Sequence, residues 1–196
     1  MDQRFIFIGD SVTDAEHLDY PPFGFGYVSK IAASGKLLGE IINVGISGNR
    51  LVDLEDRWDR DVISRQPTCL SVAIGINDTW RRYDSNDPTS LKDFRERYNR
   101  VLERVRALGD VRLALCEPFL LPVRSEMQNW RDDLDPKIEA VHEIANSYSA
   151  TVVPFDRMFA KLTESTPITD LAEDGIHPTD QGHQFMAELW LTAMGF

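Results

Sequence analysis

Five short stretches of this chain are β-type runs that do not follow the alternating pattern of a strand with one wet face. They are Phe5–Ile8, Glu40–Val44, Cys69–Ile74, Val111–Cys116 and Thr151–Pro154. A run that is apolar on both faces has to be covered on both faces. Amphipathic stretches of helical spacing separate these runs, near Gly26–Leu38, Leu51–Arg65, Ser90–Leu108 and Pro136–Ser149. A last helix is expected over Thr179–Met194, following Pro178, with Thr179 as its N-cap. This alternation predicts an α/β fold. It is a three-layer α/β/α domain with a flavodoxin-like, five-stranded parallel sheet and right-handed crossovers. The 196 residues fit one domain spanning 1–196, and 42% hydrophobic residues are enough for a sizeable core.

In such a sheet, ligands bind outside the carboxyl ends of the strands. Polar and glycine-rich blocks occur where the runs end. The first run leads into "GDSVTD", the second into "NVGISGNR", the third into "GINDTW" and the fourth into "EPFLLP". A fifth block, "EDGIHPTDQGH", immediately precedes the last helix. Several distant segments are therefore expected to meet at one rim.

A serine hydroxyl there needs a base within hydrogen-bond reach, and that base needs an orienting acceptor. Of the four histidines, His142 lies mid-helix in "KIEAVHEIANSY", and His17 follows the serine loop as a rim residue. His177 differs. Asp174 precedes it by three positions, Gly175 permits a tight turn, and Pro178 closes the segment. An Asp in this position can accept from Nδ1–H and leave Nε2 facing Ser11. Taken alone, Asp-x-x-His is more often a helix-start turn than a catalytic pair. A developing oxyanion also needs donors, and the Ser11 N–H, the Gly48 N–H and the Asn77 side chain are available at three strand ends. Gly and Asn are equally the usual residues of ordinary turns. The weight lies in their joint placement. Asp10 and Asp14, which flank Ser11, read as turn or cap residues.

Taken together, "FIGDSVTD", "NVGISGNR", "GINDTW" and "DGIHPTDQGH" resemble the sequence blocks of the SGNH (GDSL-type) hydrolases, in the family's order and over nearly the whole chain. The resemblance implies the SGNH hydrolase fold, Ser11 as nucleophile, and Asp174 and His177 completing the triad. It implies an oxyanion hole made by Ser11, Gly48 and Asn77. Gly48 is preferred to Gly45 because the family's glycine lies five residues after the block's asparagine, here Asn43. The first block reads GDSV rather than GDSL, an apolar exchange that touches nothing catalytic. No metal or organic cofactor is implied.

Within that family, "GISGN", "DLEDRWDRDV", "IGINDTWRRYD", "PFGFGYVSKI" and "HPTDQGHQFMAELW" look most like the acetylxylan and acetyl-xylooligosaccharide esterases. That subgroup implies acetyl esters of carbohydrates as substrates and a homo-oligomeric assembly. Trp80, just past Asn77, is a candidate sugar platform, with core packing or a subunit contact as the plain alternative. Trp58 and Trp130 are less well placed. Glu117–Asp133 reads as a loop over the site. Phe119, Leu120 and Leu121 within it are candidates for lining an acyl pocket, which would fit a lysophospholipase or acyl-CoA thioesterase. The plain alternative is a loop tucked onto the core. A binding module on a silent hydrolase scaffold is the third reading.

Charge and composition exclude other classes. A formal net charge of −11 opposes binding to nucleic acid or an anionic membrane. Residues 1–4 carry no signal-peptide pattern, and no segment approaches the ~20 apolar residues of a membrane helix. Cys69 and Cys116 sit in strand runs, as reduced and buried small hydrophobes. The expectation is a soluble cytoplasmic protein acting on a small-molecule ester.

Overall fold

The computed structural model describes residues 3–196. Its five strands are β1 (Arg4–Gly9), β2 (Glu40–Asn43), β3 (Cys69–Ala73), β4 (Arg112–Cys116) and β5 (Thr151–Val153). Each coincides with one of the five runs to within one residue at either end. They lie in the order β2-β1-β3-β4-β5, and every neighbouring pair is parallel. This is the flavodoxin-like order, whose switch point falls between β1 and β3.

The two-sided apolar pattern has the expected consequence. Phe5 and Phe7 of β1 pack on one face with Tyr27, Phe155, Phe159 and Trp190. Ile6 and Ile8 pack on the other with Leu54, Trp58, Phe94 and Val141. All four β1 side chains are at most 2% exposed. Each such burial contributes about 1.5–3 kcal/mol. That offsets the ~1–2 kcal/mol per residue that backbone ordering costs. The first face is covered by α2 (Tyr27–Ala33), α7 (Phe155–Leu162), α8 (Ile168–Leu171) and α9 (Asp180–Met194). The second is covered by α3 (Leu51–Asp61), α5 (Leu91–Arg106) and α6 (Arg131–Ser147). Thr179 caps α9 as expected, its Oγ1 accepting from Gly182 N–H at 3.1 Å.

Three expectations are corrected. The helix expected near Gly26–Leu38, α2, stops at Ala33 rather than Leu38, because Ser34–Gly35 ends it and leaves Leu38 exposed. The stretch after β4 is not a simple loop: a 3₁₀ turn at Ser125–Trp130 runs straight into α6. As a result α6 begins at Arg131 and carries Pro136 inside it. Pro136 falls in the second turn, where it forfeits its own backbone bond, while Asp132 and Asp133 in the first turn interact favourably with the helix dipole. Finally, "INDTW", where no helix was expected, opens one, α4 (Ile76–Asp84). A third small cluster, with Ile76, Leu120, Met127, Trp130 and Ile176, ties α4 and the post-β4 segment to the last block at the rim.

Candidate active site

β1 ends at Gly9, and the next four-residue helix, α1 (Ser11–Asp14), is capped by Asp10. Asp10 Oδ1 accepts from Val12 N–H at 3.0 Å, which makes Ser11 the first residue of α1 and places it at the switch point. Asp10 is 3% exposed, and burial pushes its pKa up to about 7. Asp10 therefore shapes the loop from beneath, as a cap residue does.

The imidazole arrives on a turn before α9. Gly175 has φ of +84°, and a Cβ there would lie 2.1 Å from the Leu121 carbonyl oxygen, so only glycine fits. The turn lets Asp174 Oδ1 accept from the N–H groups of Ile176 at 2.9 Å and His177 at 2.8 Å. Asp174 Oδ2 lies 2.6 Å from His177 Nδ1. Partial burial works against the Asp174 charge, but the His177 ring and the two backbone donors outweigh it and bring its pKa down to about 2. A carboxylate accepts only, so Nδ1 must carry the hydrogen. In the neutral ring Nε2 is then the acceptor, and it faces Ser11 Oγ at 2.9 Å. The hydrogen bond to Asp174 raises the His177 pKa, while burial partly opposes it. Ser11, His177 and Asp174 thus form one line of hydrogen bonds.

Two further strand ends flank this line. Asn77, 3% exposed in the first turn of α4, donates through Nδ2 to the Asn49 carbonyl at 3.0 Å. Gly48 sits exposed in the turn Ile46–Asn49, which is closed by Asn49 N–H to the Ile46 carbonyl at 3.2 Å. Among the described residues, neither the Ser11 N–H nor the Gly48 N–H has a protein acceptor. Such donors suit an anionic oxygen.

Trp80 is half-buried beside the imidazole, its ring centroid 6.2 Å from that of His177. It is also 5.9 Å from Trp130, on which Tyr83 stacks at 5.3 Å. Trp130, itself buried, therefore backs Trp80 from the core side, which its sequence position did not reveal. Phe119 lies in the core rather than at the rim. It is 4% exposed and stacks on Phe159 at 4.5 Å. With Val12, Ile74, Ile76 and Pro118 it lines a cavity of about 20 Å³, room for roughly one water. Leu120 and Leu121 are also buried. Phe119, Leu120 and Leu121 are core packing, and this removes the feature that favoured a long-chain acyl pocket.

His142 pairs through Nε2 with the buried Glu117 at 2.7 Å, and His17 through Nδ1 with Asp14 at 2.7 Å. Cys69 and Cys116 are buried and free, and burial pushes both thiols up to about 12. Among the described residues no cluster of three or more His, Cys, Asp or Glu is placed to hold a metal ion. No helix among them is long and apolar enough to cross a membrane.

A hydroxyl, an imidazole and a carboxylate so aligned at the switch point of a parallel sheet are the arrangement used by serine hydrolases. Comparison with known proteins narrows the class. The chain belongs to the GDSL-like lipase/acylhydrolase family, whose model matches residues 7–185. An acetylxylan esterase of Geobacillus stearothermophilus is 31% identical over 209 residues, covering 99% of this chain and 94% of that protein. An acetylxylan esterase of Xylanibacter ruminicola is 23% identical and covers 97% of this chain, which spans 43% of that longer protein. The solved Geobacillus esterase Axe2, in its W215I form, superposes with a TM-score of 0.90 at 30% identity, covering 99% of this chain and 95% of that one. LAE5, an alpha/beta hydrolase from the metagenome of Lake Arreo, gives 0.88 at 26% identity, covering 98% and 95%.

Proposed function

We propose that Ser11 is the nucleophile, His177 the general base and Asp174 its orienting partner, in an esterase that removes acetyl groups from carbohydrates such as xylo-oligosaccharides. The observation that carries this reading is the line Ser11 Oγ to His177 Nε2 at 2.9 Å and His177 Nδ1 to Asp174 Oδ2 at 2.6 Å. Catalytic mutants of Axe2 lend support: they replace a serine, an aspartate and a histidine, the last two three residues apart as Asp174 and His177 are.

Ser11 Oγ attacks the ester carbonyl carbon as its proton passes to His177 Nε2. The carbonyl oxygen takes the negative charge, facing Ser11 N–H, Gly48 N–H and the Asn77 amide. The carbon–oxygen bond to the alcohol then breaks, and His177 gives its proton to the departing sugar oxygen. Water, deprotonated by the same imidazole, hydrolyses the acetyl-enzyme and restores Ser11. No step calls for a cofactor. Trp80, with Trp130 and Tyr83 behind it, offers a face for a sugar ring. The reading is of one hydrolase domain over residues 1–196, acting in the cytoplasm and assembled as a homo-oligomer.

The test is a substrate series: p-nitrophenyl acetate, p-nitrophenyl octanoate, acetylated xylo-oligosaccharides and acetyl-CoA. Preference for acetyl over octanoyl esters, with release of acetate from the oligosaccharides, is the expected result. Preference for octanoate, or hydrolysis of the thioester alone, overturns the substrate assignment.

A further inference from the structure

Asp14 closes α1, one helical turn after Ser11, and its carboxylate reaches out of its own block. Oδ2 accepts from the Ser47 N–H at 3.0 Å and from the Ser47 hydroxyl at 2.9 Å. Oδ1 accepts from His17 Nδ1–H at 2.7 Å and from the His17 N–H at 3.3 Å. Burial works against the Asp14 charge, but the His17 and Ser47 donors outweigh it and hold the pKa below the ordinary carboxylate value. At neutral pH Asp14 is an ionised acceptor gripping a segment 33 residues away.

That segment is the turn Ile46–Asn49. Its third residue, Gly48, has φ of +80°, which a type II turn requires at that position. The peptide carrying the Gly48 N–H joins the second and third residues. Type I and type II turns differ by a flip of that one peptide, so the direction of the N–H depends on how Ser47 is held. The other corners are tethered as well. Ile46 N–H donates to the Gly9 carbonyl at 3.0 Å, and the Asn49 carbonyl accepts from Asn77. β1 holds the first corner, α4 the last, and Asp14 the second, next to the peptide that matters.

We propose that Asp14 is a positioning residue for the oxyanion site: by holding Ser47 it fixes the peptide that presents the Gly48 N–H to the substrate. This rests on the reading of Gly48 as an oxyanion donor. It accounts for the second acid of "GDSVTD". Asp10 shapes the serine turn, and Asp14 joins that turn to the glycine turn.

The test compares Asp14→Ala, Asp14→Asn and Ser11→Ala on p-nitrophenyl acetate. Losing one oxyanion donor outright typically costs 10²–10³ in turnover, so a misdirected one should cost about tenfold to a hundredfold. Asp14→Ala is expected to lose kcat by that factor with KM changed less than about twofold, the signature of an interaction made in the transition state. The acid limb of its pH profile should stay where it is, because Asp14 does not touch His177. Asp14→Asn retains an acceptor for Ser47 and should recover most of the loss. If Asp14→Ala does not fold, Asp14→Ser, whose hydroxyl is too short to span to Ser47, is held to the same criterion. Wild-type kcat, a loss confined to KM, a shifted acid limb, or an asparagine variant as poor as alanine overturns the role of Asp14. Ser11→Ala separates the two levels. Full activity in that variant removes the underlying mechanism, whereas an inactive Ser11→Ala beside a fully active Asp14→Ala removes only the positioning role.

Discussion

Ser11 Oγ and His177 Nε2 stand 2.9 Å apart although 166 residues separate them along the chain. The contact is made by two local devices. The Asp10 cap starts a helix on the serine, and the Asp174–Gly175 turn aims the ring. Both devices lie at the rim formed by the carboxyl ends of the strands, so the parallel sheet brings them together.

Asn77→Ala should lower kcat on p-nitrophenyl acetate by about 10²–10³, the usual loss for one oxyanion donor. The same amide grips Asn49, so the substitution also frees the glycine turn. Steady-state kinetics checks this, and a change of less than about threefold would remove Asn77 from the site.

The rate should fall on acidification through a pKa above the ordinary imidazole value. The bond to Asp174 raises the His177 pKa, burial opposes it in part, the Asp174 charge adds to the rise, and only the neutral ring accepts a proton. The sign is therefore a loss of activity as pH falls through that raised value. Asp174→Asn removes the largest cause, so the limb should move to lower pH while kcat drops. A kcat/KM profile measured from pH 5 to 9 in both proteins decides. An acid limb unmoved by the substitution contradicts the assignment.

Trp80→Ala should raise KM for acetylated xylo-oligosaccharide by about tenfold, the equivalent of ~1.4 kcal/mol. p-Nitrophenyl acetate, which has no sugar to stack, should be nearly unaffected. Equal effects on both substrates would show that Trp80 supports the imidazole rather than the sugar.

How much of this was legible in the sequence follows from the range of each signal. The strands were legible because apolar runs are local and two-sided burial leaves no other pattern. The α9 cap at Thr179 was legible for the same reason. The α6 start was misread because Pro136 is a strong punctuator, whereas the preceding 3₁₀ turn is held by burial of Met127 and Trp130, which is a tertiary effect. In α4, Ile76, Trp80 and Tyr83 have helical spacing, but turn residues at the start of the helix masked it. The order of the blocks brought Ser11, Asp174 and His177 forward as a set. Asp14–Ser47 and Glu117–His142 could not be read this way, since each pairs two side chains whose neighbours give no hint of the other.

Trp190→Ala should destabilise the fold by about 3–5 kcal/mol. The ring is fully buried, lies 5.0 Å from Phe7, stacks on Phe196, and donates from Nε1 to Ser71 Oγ at 2.9 Å. Urea unfolding should show a lower midpoint with an unchanged slope. A loss below about 1 kcal/mol would mean that the core closes over the gap.

The central claim is that Ser11 is activated by His177, and covalent labelling reads it directly. Intact-mass and peptide analysis after treatment with a fluorophosphonate should give one adduct, on Ser11, in the wild type. Ser11→Ala should give none, and His177→Ala should label slower by at least about 10³. An adduct on another residue, or His177→Ala labelling at the wild-type rate, would contradict the account.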